Sequence, residues 1–213
     1  MRFANRLKSS RSSIIRDILK LLYKPGLISF AGGMPAPEIF PVDEIERFAS
    51  NALRHHGTEC LQYSISEGLP GLRCELAKFI KGFGGCANAD ELMVTSGAQQ
   101  GIDLCGKLFL DRGDTVFIER PGYLGAIQAF NMFEVKFECM PMDACGVRTD
   151  ILEKMLKKKR PKLIYVVPDF QNPSGITMSL KRRKKLIDLA GRYEIPVLED
   201  APYSYIRLSL IHI

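Results

Sequence analysis

No run in this chain approaches the ~18 to 20 uninterrupted apolar residues that a membrane helix needs, so a helical membrane anchor is not expected. The start, Met1-Arg2-Phe3-Ala4-Asn5-Arg6, lacks the apolar stretch and small-residue cleavage site of a secretory signal, which points to the cytoplasm. The six cysteines (Cys60, Cys74, Cys86, Cys105, Cys139, Cys145) include no C-x-x-C pair and no neighbouring histidine at zinc spacing. No metal site follows from them, and reduced, partly buried thiols are expected. Internal repeats and low-complexity segments are also missing.

What is present is a 213-residue chain, 46% hydrophobic, long enough for one large domain with a substantial core. Its net charge of +6 comes largely from two clusters, Lys157-Lys158-Lys159-Arg160 and Lys181-Arg182-Arg183-Lys184-Lys185. Both fall on expected helices or their ends, where a solvated face accounts for them. They lack interleaved aromatics and any nucleic-acid reading module, so nucleic acid is not an expected partner.

From residue 91 onward, short apolar runs alternate with longer amphipathic ones, the pattern of a parallel sheet covered by helices. The class is α/β. Strands are expected at Leu92 to Thr95, Thr115 to Glu119, Val135 to Cys139, Leu163 to Val167 and Pro196 to Glu199. Between them, Ala98 to Leu110 places Ile102, Cys105, Leu108 and Phe109 on one helical face. Gly113-Asp114, Pro121-Gly122 and Asn172-Pro173 mark breaks. Before residue 91, a helix from about Ser13 to Tyr23 is expected, capped by Ser12 or Ser13 and stopped by Pro25-Gly26. The Gly/Pro-rich segment from Ile28 to Pro41 follows, either a surface linker or a loop shaped for close approach, and then helices from Asp43 to His56 and Leu69 to Lys81.

Several residues carry possible chemistry. In Val94-Thr95-Ser96-Gly97-Ala98-Gln99-Gln100 a strand runs through a small turn into a helix, so that the amides of Gly97, Ala98 and Gln99 converge with the helix dipole behind them. Such a spot suits a phosphate, with Ser96 and the Gln99 side chain adding hydrogen bonds, although Ser-Gly before a helix also reads as a plain N-cap. Asp200 ends an apolar strand at the edge where ligands sit in parallel sheets, and a carboxylate there can pair with a protonated ring nitrogen; a turn cap is the alternative. Asn172 and Tyr203 supply an amide and a phenol able to converge on one oxygen, and Tyr123 offers a ring face for stacking.

With these residues in view, the sequence resembles the fold-type I pyridoxal-phosphate enzymes, the class I/II aminotransferases. The likeness is strongest to the 2-aminoadipate and kynurenine aminotransferase branch. It runs from about Ser12 to Arg207 and includes Phe30-Ala31-Gly32-Gly33-Met34-Pro35-Ala36-Pro37, Leu61-Gln62-Tyr63-Ser64, Ser96 to Gln100, Gln171-Asn172-Pro173-Ser174-Gly175 and Glu199-Asp200-Ala201-Pro202-Tyr203. The resemblance implies the large domain of that fold, a three-layer α/β/α arrangement about a mostly parallel sheet, present incompletely. It implies pyridoxal 5'-phosphate as cofactor, its phosphate held by Ser96, Gly97, Ala98 and Gln99, its ring stacked on Tyr123, its 3-hydroxyl oxygen bound by Asn172 and Tyr203, and its pyridine nitrogen bound by Asp200. Tyr63 would reach the phosphate of a neighbouring subunit in a homodimer. Gly33 would lie in the segment covering the substrate, and Arg16 on the N-terminal helix would meet a distal acidic group of the substrate.

The resemblance also marks what to expect beyond Arg207: the Schiff-base lysine, the arginine for the substrate carboxylate and the small C-terminal domain. No lysine follows Asp200 in this chain. The last six residues, Leu208-Ser209-Leu210-Ile211-His212-Ile213, resemble the translation of a transposase mosaic-end adapter and are expected to be an assembly artefact. The expected organisation is therefore an N-terminal helix and substrate-covering segment (1–42), a partial cofactor-binding domain (43–207) and the adapter (208–213). The function implied is ping-pong amino transfer between an L-amino acid of 2-aminoadipate, aromatic or branched-chain type and a 2-oxo acid, with the 213-residue piece inactive by itself and its sheet edges and core faces uncovered. Two alternatives share the fold: a pyridoxal-phosphate-sensing domain of a transcription regulator, and a pyridoxal-phosphate-dependent lyase or synthase.

Overall fold

The computed structural model describes residues 33–206 together with Ala4, Arg6 and Gly26. The expected helix from Ser13 to Tyr23, Arg16 upon it, and residues 208–213 lie outside the described residues. The chain divides into two compact units that meet in sequence between Val94 and Thr95.

In the unit before Thr95, a 3-10 turn at Pro37–Ile39 precedes helix α1 (Val42–Leu61) and helix α2 (Pro70–Gly82), and a second 3-10 turn follows at Ala89–Glu91. Helix α1 carries Asp43 and Glu44 in its first turn, where acidic side chains complement the helix dipole. The expected end at His56 is a kink (φ −134°, ψ 22°) ahead of Gly57, after which helical bonding resumes to Leu61. Arg73 of α2 is buried and donates from Nη1 to the Ala89 carbonyl at 3.0 Å, tying α2 to the second 3-10 turn. The strand expected from Leu92 to Thr95 does not form. Leu92 is extended (φ −107°, ψ 137°), but Val94 N–H donates to the Glu67 carbonyl, and no neighbouring strand pairs with the segment among the described residues. An apolar run supplies the conformation of a strand but not its partner.

The unit from Thr95 holds a five-stranded sheet. Its elements in chain order are α3 (Ala98–Phe109), β1 (Thr115–Arg120), α4 (Leu124–Asn131), β2 (Lys136–Asp143), β3 (Gly146–Val147), α5 (Thr149–Lys158), β4 (Leu163–Val166), α6 (Leu180–Tyr193) and β5 (Val197–Glu199). The strand order is β3-β2-β1-β4-β5, with every pair parallel except the short β2–β3 hairpin. That hairpin lengthens β2 four residues beyond its expected end at Cys139. Its return strand is two residues long, too short for a periodic signal.

Burial on both faces explains why β1 and β4 read as continuous apolar runs rather than alternating ones. Along them, Val116, Ile118, Leu163, Tyr165 and Val167 pack with Ile102 of α3 and Ala126, Ala129 and Phe130 of α4. On the opposite face, Phe117, Ile164 and Val166 pack with Leu152 and Leu156 of α5 and Leu186, Leu189 and Ala190 of α6. At ~25 cal/mol per Å² of apolar surface, these two layers are the main source of the sheet's stability. The observed architecture is the three-layer, mostly parallel α/β arrangement expected.

Two expectations about side chains need correction. The basic run opening α6 is more than a solvated face, because Arg182 donates to the Val147 carbonyl and Asp143, and Arg183 to Asp169, Pro168 and Met178. Cations in a first helical turn oppose the dipole. These two are held by specific acceptors instead. All six cysteines are free, but only Cys105 is half-buried; the other five are exposed, on α1, α2, β2 and the connecting loops. Burial pushes the Cys105 thiol up, which keeps it in its unreactive form. No described helix is long and apolar enough to cross a membrane.

Candidate active site

Strand β1 is central, and the chain moves from β2 on one side of it to β4 on the other. This reversal opens a crevice beyond the carboxyl ends of β1 and β4, the place where open α/β sheets bind ligands. A pocket open to solvent occupies it, lined by Ala98, Gln99, Ile102, Tyr123, Val167, Asn172, Asp200, Pro202 and Tyr203. Tyr123 follows β1, Asn172 follows β4, and Asp200 follows β5.

One wall is the start of α3. Gly97 has φ 86° and ψ 166°, a region that only glycine enters without strain, and it turns the chain directly into the helix. No side chain caps that helix, and Ala98 and Gln99, whose amides have no partner within the helix, line the pocket. Ser96 stands just outside; its backbone amide donates to Gln100 Oε1 at 2.5 Å. The Gln99 side chain donates to the Gly125 carbonyl at 3.1 Å, which joins the α3 start to α4.

The opposite wall is polar and mutually bonded. Asn172 Nδ2 donates to the Tyr203 hydroxyl at 3.4 Å, bringing together the amide and phenol expected to share an oxygen. Asp200 accepts a 2.6 Å hydrogen bond on Oδ2 from the hydroxyl of Tyr165, a fully buried side chain. Burial, followed by the charges of Asp200 and Tyr203, holds the Tyr123 phenol above its usual range. The Tyr165 phenol is raised much further, first by burial and then by its bond to Asp200. Both phenols therefore stay protonated and act as hydrogen-bond donors or ring faces at neutral pH.

Beneath the pocket, Glu119 and Gln171, each 1% exposed, fasten the loops that carry its residues. Glu119 Oε2 accepts from Val167 N–H at 3.0 Å, whereas Oε1 has no partner. Gln171 donates from Nε2 to the Pro121 carbonyl at 2.8 Å and accepts on Oε1 from Ser174 N–H and Oγ. Gln171 was legible only as part of a motif. Glu119 and Tyr165 gave no signal in the sequence, because each sits inside an apolar strand where a single polar residue is read as edge or noise.

Of the expected site residues, Ala98, Gln99, Tyr123, Asn172, Asp200 and Tyr203 are thus gathered in one pocket, with Gly97 and Ser96 leading into it. Tyr63, 99% exposed, and Gly33 belong to the other unit, and Arg16 lies outside the described residues. Among the described residues no group of three or more His, Cys, Asp or Glu side chains is placed to hold a metal.

The strand order and the crevice at its reversal define an α/β domain with a ligand-sized site at the carboxyl ends of its strands. Residues 39–206 match the family model for aminotransferase class I and II, and the chain belongs to that family. It is 39% identical over 213 residues to aromatic-amino-acid aminotransferase 1 of Thermococcus litoralis, covering 97% of this chain and 51% of that protein. It is 42% identical over 193 residues to the 2-aminoadipate transaminase of Thermus thermophilus, covering 91% of this chain and 47% of that one. Among solved structures, the kynurenine aminotransferase of Pyrococcus horikoshii, crystallised in complex with PMP and with KYN as substrate and KYA as product, superposes with a TM-score of 0.86 at 40% identity. That match covers 94% of this chain and 51% of the other. The chain spans about half the length of the relatives it matches.

Proposed function

We propose that the whole protein is a pyridoxal 5'-phosphate-dependent aminotransferase, moving an amino group between an L-amino acid and a 2-oxo acid. The observation that carries this reading is the placement of Asp200, braced by Tyr165, in the same pocket as the Asn172–Tyr203 pair and the uncapped start of α3. The donor set fits the cofactor: helix-start amides for a phosphate, an aromatic face for a planar ring, an amide and a phenol for a ring oxygen, and a carboxylate for a ring nitrogen. PMP, carried by the Pyrococcus horikoshii relative, is the amino form of the same cofactor.

When bound, pyridoxal phosphate supplies a carbonyl that condenses with amines and a ring that withdraws electrons. The residues of this chain hold and tune that ring. Gly97, Ala98 and Gln99 bind the phosphate with Ser96 at the margin, and the helix dipole adds to their attraction. Tyr123 fixes the plane of the ring. Asn172 and Tyr203 donate to its oxygen, lowering that oxygen's proton affinity. Asp200 keeps the ring nitrogen protonated, which maximises electron withdrawal from the reacting carbon.

The remaining assignments follow from family likeness. Tyr63 serves the phosphate of a partner subunit in a homodimer, Gly33 covers the substrate, and Arg16 contacts a distal acidic group. The protein works in the cytoplasm. Aromatic and 2-aminoadipate relatives favour donors of those classes.

The test is Asp200→Ala in the full-length protein, assayed for transfer of labelled nitrogen from amino acid to 2-oxo acid. Turnover is expected to vanish. Near-normal transfer would overturn the assignment of the pocket.

A further inference from the structure

Tyr165 is not part of the pocket lining, yet its hydroxyl reaches one of the two oxygens of Asp200 at 2.6 Å. The rest of the side chain has no freedom to do anything else. Its ring is fully buried in the layer between the sheet and α3 and α4, and stands edge-on to Phe130 with centroids 5.9 Å apart at 78°. It projects from the middle of β4, a strand paired on both sides, so the phenol is presented from a rigid element. Asp200, by contrast, is the first residue after β5, anchored by its N–H to the Val166 carbonyl at 2.9 Å and otherwise bordering open pocket.

From this geometry we infer that Tyr165 is a positioning residue for Asp200: by occupying Oδ2 it fixes the carboxylate rotamer and leaves Oδ1 as the oxygen that meets the cofactor's ring nitrogen. The inference rests on the reading of the pocket given above. It adds a chemical consequence to that reading. A carboxylate that already accepts a strong hydrogen bond is a weaker base, so a proton shared between Oδ1 and a ring nitrogen lies further toward the nitrogen. Tyr165 thereby favours the ion pair, carboxylate and protonated ring, over the neutral pair of carboxylic acid and free ring nitrogen. The side chain touches neither substrate nor cofactor and acts only through Asp200.

The experiment uses the full-length protein and pyridoxamine 5'-phosphate labelled with nitrogen-15 in the ring, a probe that binds without the lysine. Affinity is measured by titration, and the protonation of the ring nitrogen by its NMR resonance. Tyr165→Phe removes one oxygen and keeps the packing against Phe130. It is expected to weaken binding about tenfold, the scale of one lost charge-assisted hydrogen bond, and to move the resonance toward that of an unprotonated pyridine. In an Asp200→Ala background, Tyr165→Phe is expected to change neither quantity. Equal weakening in both backgrounds would mean that Tyr165 acts only through packing, and an unmoved resonance in the single variant would likewise overturn the inference. Should Tyr165→Phe not fold, difluorotyrosine at position 165, a stronger donor, must move the resonance in the opposite sense; no movement counts against the proposal. If the unmodified protein fails to bind the probe, or Asp200→Ala binds it as tightly, then the reading of the pocket falls. Silence of Tyr165→Phe alone, with Asp200→Ala impaired, removes only the role given to Tyr165.

Discussion

Arg183 and Asp169 form a two-pronged ion pair, with Nη2 at 2.7 Å from Oδ1 and Nη1 at 3.3 Å from Oδ2. Arg183 also donates to the Met178 and Pro168 carbonyls, while Ser204 Oγ donates to Asp169 Oδ2 at 2.9 Å. One guanidinium thus closes the 168–178 loop, which carries Asn172, and the carboxylate joins that loop to the segment after Asp200. The Asp169 side chain is only 6% exposed. Arg183→Met keeps the aliphatic stem but removes the two-pronged contact to that buried carboxylate, and a loss of about 3 kcal/mol in unfolding free energy is expected. Arg183→Lys should lose less, since it keeps the charge and gives up the fork. Denaturant unfolding of both variants decides the matter, and unchanged midpoints would show that the pair does not hold the loop.

Glu119 makes stability depend on pH in a direction opposite to that of most carboxylates. Burial pushes its carboxyl up to about 7 from the ordinary 4.5, against the lowering effects of Val167 N–H and the Gln171 side chain. Between those two values the folded protein keeps a proton that the unfolded chain has released. The contribution of Glu119 to stability is therefore greatest below about 4.5, falls as pH rises through the window, and levels off above about 7. At ~1.4 kcal/mol per pKa unit this one group accounts for a decline of about 3 kcal/mol. Glu119→Gln retains an acceptor for Val167 N–H and carries no charge, so its profile should be flatter and its stability higher at pH 8. Parallel profiles for the two proteins, measured by urea unfolding at pH 5 and pH 8, would contradict this account.

These two cases also show which parts of the molecule were legible in sequence. Strands β1, β2, β4 and β5 and helices α2 and α3 were found near their observed positions, since four-residue apolar runs and helical periodicity register burial directly. The six pocket residues were found because each follows a strand end or opens a helix, where few structural roles compete. Leu92 to Thr95 was misjudged because pairing is a property of a neighbour, and β3 because two residues hold no period. Arg182 and Arg183 were hidden within a run of five basic residues in which Lys181 and Lys184 are exposed. Glu119 and Tyr165 escaped for a related reason: a polar residue inside an apolar strand tells nothing of the partner it meets 35 or 48 residues away in sequence.

Three glycines of the α3 region should respond in three different ways to the same added methyl group. At Gly101, inside the helix, a Cβ meets nothing within 4 Å, and alanine is the better helix former, so Gly101→Ala should stabilise by up to about 1 kcal/mol. At Gly97 a Cβ also meets nothing, but φ of +86° is strained for any L residue, and Gly97→Ala should cost about 1–3 kcal/mol through backbone conformation alone. At buried Gly106 the backbone is ordinary helix, yet a Cβ falls 2.5 Å from Phe133 Cε2, so Gly106→Ala should cost a similar amount through overpacking. The two destabilising causes separate in one further step. Phe133→Leu removes the crowding atoms and should recover part of the loss in Gly106→Ala while leaving that in Gly97→Ala untouched, read as unfolding free energy. Equal recovery in both would mean that the strain assigned to the start of α3 is instead a packing effect.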